Sequence, residues 1–165
     1  HPYLVAFVCG LVVAVVGYLS DYSSSGTGYG AAKAIITGQA AWDPIYPLTK
    51  IGSTLASYLS GIPGGIFAPS LATGAGVGAN LGHWLPVAPM PLMVILGMVG
   101  YFAGVVQSPL TAFIIVMEMI NDQEMLLALI LTAFIANGVS HLVCPKPIYH
   151  ALSQAFLKSS GGRSA

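Results

Sequence analysis

Apolar residues in this chain come in long runs, and clusters of Gly, Pro, Ser, Asn and Asp cut the runs apart. The first run, residues 3–19, predicts one helix that crosses a bilayer core with little tilt, since ~20 helical residues rise about 30 Å. It lacks the basic start and small-residue cleavage site of a signal peptide, and it is too long for that signal's apolar core. A polar, glycine-rich linker follows over 21–30, then a short segment over 31–36. Trp42, Asp43, Pro44 and Pro47 predict a turn before an apolar segment over 48–59, with Lys50 near its start. A Gly/Pro break at 60–65 precedes a helix over 66–84. Further helices are expected at 92–106, from Pro109 to about Asn121, at 125–143 and, after Pro145-Lys146-Pro147, at 148–157. Residues 159–165 read as a polar tail.

Composition changes the solvent in which these segments must be placed. Of 165 residues, 56% are hydrophobic and only 6% are charged, against about 25% charged in soluble domains. With a mean hydropathy of +0.82, lipid is the environment that fits. Several segments are nevertheless short for a full crossing and are cut by Gly and Pro. An unpaired backbone group is costly in lipid, so broken helices persist only where protein or a watery cavity surrounds the break. Transport proteins with ion sites in mid-membrane have this pattern.

Charge and reactive residues narrow the function by exclusion. The formal net charge is zero, with no basic patch for nucleic acid. His, Cys and carboxylates are too scattered for a metal site, and no cofactor is expected. No Ser/His/Asp or paired-carboxylate set suggests an enzyme. Cys9 and Cys144 are read as separate buried thiols rather than a disulfide. The chain begins at His1 without Met and is taken as a piece of a larger protein.

Gly64-Gly65-Ile66-Phe67-Ala68-Pro69 is the stretch with the most chemistry. Gly64 and Gly65 permit a sharp turn and close approach of a small ion. Pro69 suits a helix's first turn, where its missing N–H costs nothing. First-turn N–H groups lack intrahelical acceptors and carry the positive end of the helix dipole. Together they form an anion site without a full charge, which binds an ion yet lets it go. Taken alone, a Gly-Gly break before a membrane helix is more often only structural.

Gly65-Ile66-Phe67-Ala68-Pro69 matches the G-x-F-x-P signature of the CLC family of chloride channels and chloride/proton antiporters. Gly26-Thr27-Gly28-Tyr29-Gly30 resembles that family's upstream glycine linker. Ser108-Pro109-Leu110-Thr111 with Glu118-Met119 resembles its A-P-L-T…E-M segment, and Lys146-Pro147-Ile148-Tyr149 its K-P-L-Y segment. The four matches occur in family order. The resemblance implies an all-α membrane fold of short, tilted and broken helices, the second inverted-repeat half of a CLC-type core, over 1–158. It implies chloride bound by the amides of Ile66 and Phe67 and the hydroxyl of Tyr149, with Gly64, Gly65, Ala68 and Pro69 forming the filter loop. It further implies a missing first half, whose gating glutamate element is absent from this sequence. A homodimer through residues 109–143, protons as a second substrate, and a multi-pass protein of the inner or plasma membrane with a cytoplasmic C-terminus are expected as well.

Other residues read more plainly. Ser60 is preceded by Leu59 rather than Gly, so it is assigned no filter role. Gly74, Gly78 and Gly82 share one helix face and predict close backbone packing. Glu118, amid Val116, Met117 and Met119, is read as structural rather than as a proton relay. Trp42 and Trp84 are expected to anchor at the membrane interface. His141 and His150 have no third ligand near them in sequence. An unrelated multi-helix carrier, or a membrane subunit with no ion pathway, remains the alternative.

Overall fold

The computed structural model describes residues 2–20, 26–39, 42–60, 64–121 and 124–145. Among them the backbone forms seven helices: α1 (Pro2–Leu19), α2 (Tyr29–Ile36), α3 (Tyr46–Leu59), α4 (Phe67–Trp84), α5 (Met90–Val106), α6 (Pro109–Ile120) and α7 (Leu126–Val143). No strand occurs among the described residues, as the run pattern requires. The expected helix at 148–157 and tail at 159–165 lie outside the described residues, so the far end of the anticipated 1–158 half-core does too.

Three helix starts come two residues earlier than the sequence expectation: α2 begins at Tyr29, inside the expected linker, and α3 and α5 begin two residues early for a reason that proline chemistry explains. Pro47 lies inside α3, in its first turn, rather than in the preceding turn, and α5 begins at Met90 with Pro91 second. A proline there fixes a helical φ and removes an N–H that has no intrahelical acceptor.

The chain divides into two compact units, His1–Met98 and Val99–Ala165. In the first, α3 packs against α1 and α4, and α2 packs against α4. The centre of this unit is α4, where Ser70 through Gly76, with Gly78, Asn80 and Gly82, are buried. Small residues make this possible. A Cβ on Gly78 would run into the Met93 carbonyl and Val94, and one on Gly82 would lie 2.9 Å from Met90 Sδ. The face expected from Gly74, Gly78 and Gly82 is therefore where the start of α5 lies against α4. On another side of α4, a Cβ on Gly76 would lie 2.6 Å from the Tyr46 ring.

Trp42, expected only as an interfacial anchor, ties two segments together. Its indole stacks on His83 with centroids 3.8 Å apart, and its Nε1–H donates to Asn80 Oδ1 at 3.0 Å. Asn80 in turn donates from Nδ2 to the Pro44 carbonyl at 2.9 Å. The loop before α3 is thus clipped to the end of α4. Both tryptophans are exposed, Trp84 at 62% and Trp42 at 46%.

In the second unit, α6 packs against α7 through faces that include Ala112, Phe113, Val116, Leu129 and Ala133. Gln107 ends α5 with a φ of 54°. It donates from Nε2 to Ser140 Oγ at 3.1 Å and to the Cys144 carbonyl at 2.6 Å. Ser140 Oγ donates to the Gly104 carbonyl at 2.6 Å. These bonds offset the cost of a left-handed, non-glycine residue. The thiols are not buried as expected: Cys9 is half-buried on α1 and Cys144 is exposed.

Candidate functional site

α3 ends at Leu59 and α4 begins at Phe67, so the Gly/Pro break is a short loop between two packed helices. Ser60 closes α3 by donating from Oγ to the Ser57 carbonyl at 2.6 Å. Gly61, Ile62 and Pro63 lie outside the described residues. Ile66 is the N-cap of α4 and its carbonyl accepts the first helical bond, from Ser70 N–H at 3.1 Å. The amides of Ile66 and Phe67 therefore stand at the positive end of α4. No Asp or Glu in the first turn offsets that end. Ile66 is buried, Phe67 is 43% exposed, and Ala68 and Pro69 are half-buried.

Of the two roles expected of the glycines, the structure removes the sharp turn. Neither Gly64 nor Gly65 has a positive φ, so the turn does not require glycine. A Cβ on either would meet nothing within 4 Å among the described residues, so packing among them does not require it. Their effect is to leave this backbone bare and approachable. Both line a partly open cavity of about 170 Å³, along with Pro69 and residues of α3. Ile66 and Phe67 are not among its walls.

Two side chains around this loop were not foreseen as part of it. Tyr58, in the last turn of α3, donates its hydroxyl to the Gly64 carbonyl at 3.1 Å. In a planar trans peptide the C=O and the following N–H point opposite ways. Holding the Gly64 oxygen on α3 therefore also sets the direction of the Gly65 N–H. Lys50 is 1% exposed and donates from Nζ to the Gly26 carbonyl at 2.7 Å. It also lines the cavity.

Lys50 explains the glycine linker upstream. Gly28 has a φ of 78° and a Cβ there would lie 2.5 Å from Ala72 Cβ and 2.9 Å from Lys50 Cε. Only glycine fits between the lysine stem and α4 with that backbone. The neutral-dipole picture of the loop is thus incomplete, because a full cation shares the cavity beside it. The available signal was a lone cation in an apolar segment, with a Gly-x-Gly element 24 residues before it.

Tyr149 lies outside the described residues. Glu118 is exposed near the end of α6. No cluster of three potential metal ligands occurs among the described residues.

Residues 1–141 match the model of the voltage gated chloride channel family. Over 116 residues the chain is 37% identical to the H(+)/Cl(-) exchange transporter ClcA of Vibrio cholerae, covering 67% of this chain and 25% of that protein. Over 111 residues it is 34% identical to ClcA of Yersinia pestis, covering 64% and 23% respectively. An uncharacterized protein of Haemophilus influenzae is 45% identical over 73 residues, which is 44% of this chain and 74% of that one. The chain thus spans about a quarter of the length of the exchange transporters it matches. Tyr149 falls beyond the residues matched by the family model.

Proposed function

Since the chain belongs to the voltage gated chloride channel family, we propose that it forms part of the pathway by which a chloride channel or a proton–chloride antiporter moves chloride across a membrane. The anion is held by the amides of Ile66 and Phe67 and by the hydroxyl of Tyr149, and Gly64, Gly65, Ala68 and Pro69 shape the loop around it. The rest of the pathway comes from a first half outside this sequence. The whole protein works as a homodimer through residues 109–143, with its C-terminus in the cytoplasm and no cofactor.

One observation carries the reading. Among the described residues Gly64 and Gly65 are needed neither for backbone conformation nor for packing, yet they precede the positive end of α4. Bare backbone at such a place suits a small anion that must come within hydrogen-bond distance of N–H groups. The similarity to ClcA proteins, which are H(+)/Cl(-) exchange transporters, supports chloride as the anion and protons as its counter-substrate.

Chloride efflux from liposomes carrying the full-length protein, with and without a proton gradient, tests this. Gly65→Val is expected to slow efflux tenfold or more, about 1.4 kcal/mol of lost stabilisation per tenfold. Tyr149→Phe is expected to lower it less. Flux indifferent to chloride, or a Gly65→Val protein as fast as the parent, would overturn the proposal.

A further inference from the structure

Gln107 and Ser108 form the two-residue break between α5 and α6, and Gln107 is a poor choice there for stability alone. Its φ of 54° lies in the left-handed region, which glycine adopts freely and a residue with a Cβ does not. Among the described residues, Asn121 is the other non-glycine with a positive φ. Asn121 caps the end of α6, a place where asparagine is common. The Oε1 of Gln107 is moreover closed off from solvent with no donor, and a buried acceptor left unpaired is destabilising. A glycine would remove the strain and the orphaned oxygen together.

What the glutamine supplies is a tie between helix ends. Its amide nitrogen has two protons. One goes to the Cys144 carbonyl at 2.6 Å and the other to Ser140 Oγ at 3.1 Å. Ser140 Oγ donates its own proton to the Gly104 carbonyl at 2.6 Å. These bonds fix which way the amide faces. Turned over, it would set Oε1 against the Cys144 carbonyl, acceptor against acceptor, so the orphaned oxygen has no cure by rotation. The last turn of α5 is thereby fastened to the last turn of α7 and to its C-cap. At Cys144 the chain leaves α7 in an extended conformation, φ −143° and ψ 99°, as a residue before proline does.

We propose that Gln107 is a positioning residue for chloride binding: by holding the Cys144 carbonyl it sets the direction in which the chain departs from α7 toward Tyr149. The inference rests on the reading of Tyr149 as a donor to the anion and extends it to the α5–α6 break. Four residues separate Cys144 from Tyr149, and two of them, Pro145 and Pro147, are prolines, whose rings fix φ. Few torsions are left to absorb a change of direction at Cys144. Hydrogen bonds weaken steeply with angle, so a small change there is enough to loosen the hold of a phenol on an ion. Strain and an unpaired polar atom kept at one position, where a simpler residue would relieve both, mark a functional constraint.

A double-mutant cycle on the full-length protein tests this, with chloride affinity read by titration calorimetry. Gln107→Gly keeps the turn and deletes the tie, while Gln107→Met keeps the side-chain length and deletes the donors. Each is expected to weaken chloride binding about fivefold, and Tm of Gln107→Gly should hold or rise. Tyr149→Phe should weaken binding as well. In the Tyr149→Phe background Gln107→Gly should then add nothing, because two residues that act through one bond to the ion are not additive. Additive losses, or a Gln107→Gly protein with lower Tm and the affinity of the parent, would show that the tie only joins helices. Either result overturns the positioning role and leaves that of Tyr149 in place. A Tyr149→Phe protein with unchanged affinity removes both readings at once. If Gln107→Gly does not fold, the same cycle with Gln107→Met decides between these outcomes.

Discussion

α4 and α7 are both eighteen residues long, and they are built on opposite plans. In α4 most of the length is buried, and what is buried is Gly, Ala, Ser, Thr and Asn. In α7 only Leu129 and Ala133 are buried, while Leu127, Ile135 and Leu142 are 70%, 65% and 87% exposed. Among the described residues, α7 is the helix long and apolar enough to cross a bilayer. In water this distribution would be inside out. In lipid, large apolar side chains gain nothing by leaving the solvent, and helices associate by close packing and polar contacts between small residues. α7 thus presents an apolar surface that suits lipid or the second copy proposed above, whereas α4 buries small and polar residues.

The contrast can be broken most sharply on α7. Ile135→Arg is expected to raise the cost of membrane insertion by about 3 kcal/mol at mid-helix, whereas Ile135→Ala should insert nearly as the parent does. Glycosylation-tagged insertion into membranes measures both. An arginine tolerated there would mean that α7 faces water or a polar partner instead of lipid or an apolar second copy.

Glycine-to-alanine exchange compares the two helices with one chemistry. At Gly78 the new methyl would meet the backbone of Met93 and Val94, and overpacking of this kind costs about 1–3 kcal/mol. At Gly138, on α7, a Cβ meets nothing within 4 Å, and the better helix former should stabilise by roughly 0.5–1 kcal/mol. Thermal unfolding of the full-length protein in detergent should show Tm moving down for Gly78→Ala and up for Gly138→Ala. Shifts of the same sign would remove the packing distinction.

The smallest effect belongs to the loop that α4 presents. Tyr58→Phe deletes the hydroxyl that holds the Gly64 carbonyl, a bond worth about 1 kcal/mol. Chloride affinity by titration calorimetry is expected to weaken about fivefold, with Tm nearly unchanged. If Tm falls while affinity stays, Tyr58 stabilises the end of α3 and does not position the loop.

Much of this was legible in residue order. Apolar runs separated by Gly and Pro marked the described helices to within a few residues, because run length and breaker position are local properties. The four-residue spacing of Gly74, Gly78 and Gly82 announced a packing face, since helix periodicity alone places them together. Proline misled at Pro47 and Pro91, where it begins a helix as readily as it ends one. Lys50 was visible only as a cation near a segment start, and Tyr58 not at all. Their roles depend on Gly26 and Gly64, reached through the packing of helices rather than along the chain.

The sequence by itself determined the solvent, the helical class, the family and the candidate anion loop, because composition, periodicity and a contiguous glycine-proline motif are written in one dimension. Tertiary structure alone decided that Gly64 and Gly65 stand bare over a cavity, that a cation shares it, and that Gly28 is glycine to make room for a lysine stem. Those are facts of proximity between segments of α1, α3, α4 and their linkers. Proximity arises from which faces pack, and no single stretch of residues encodes it.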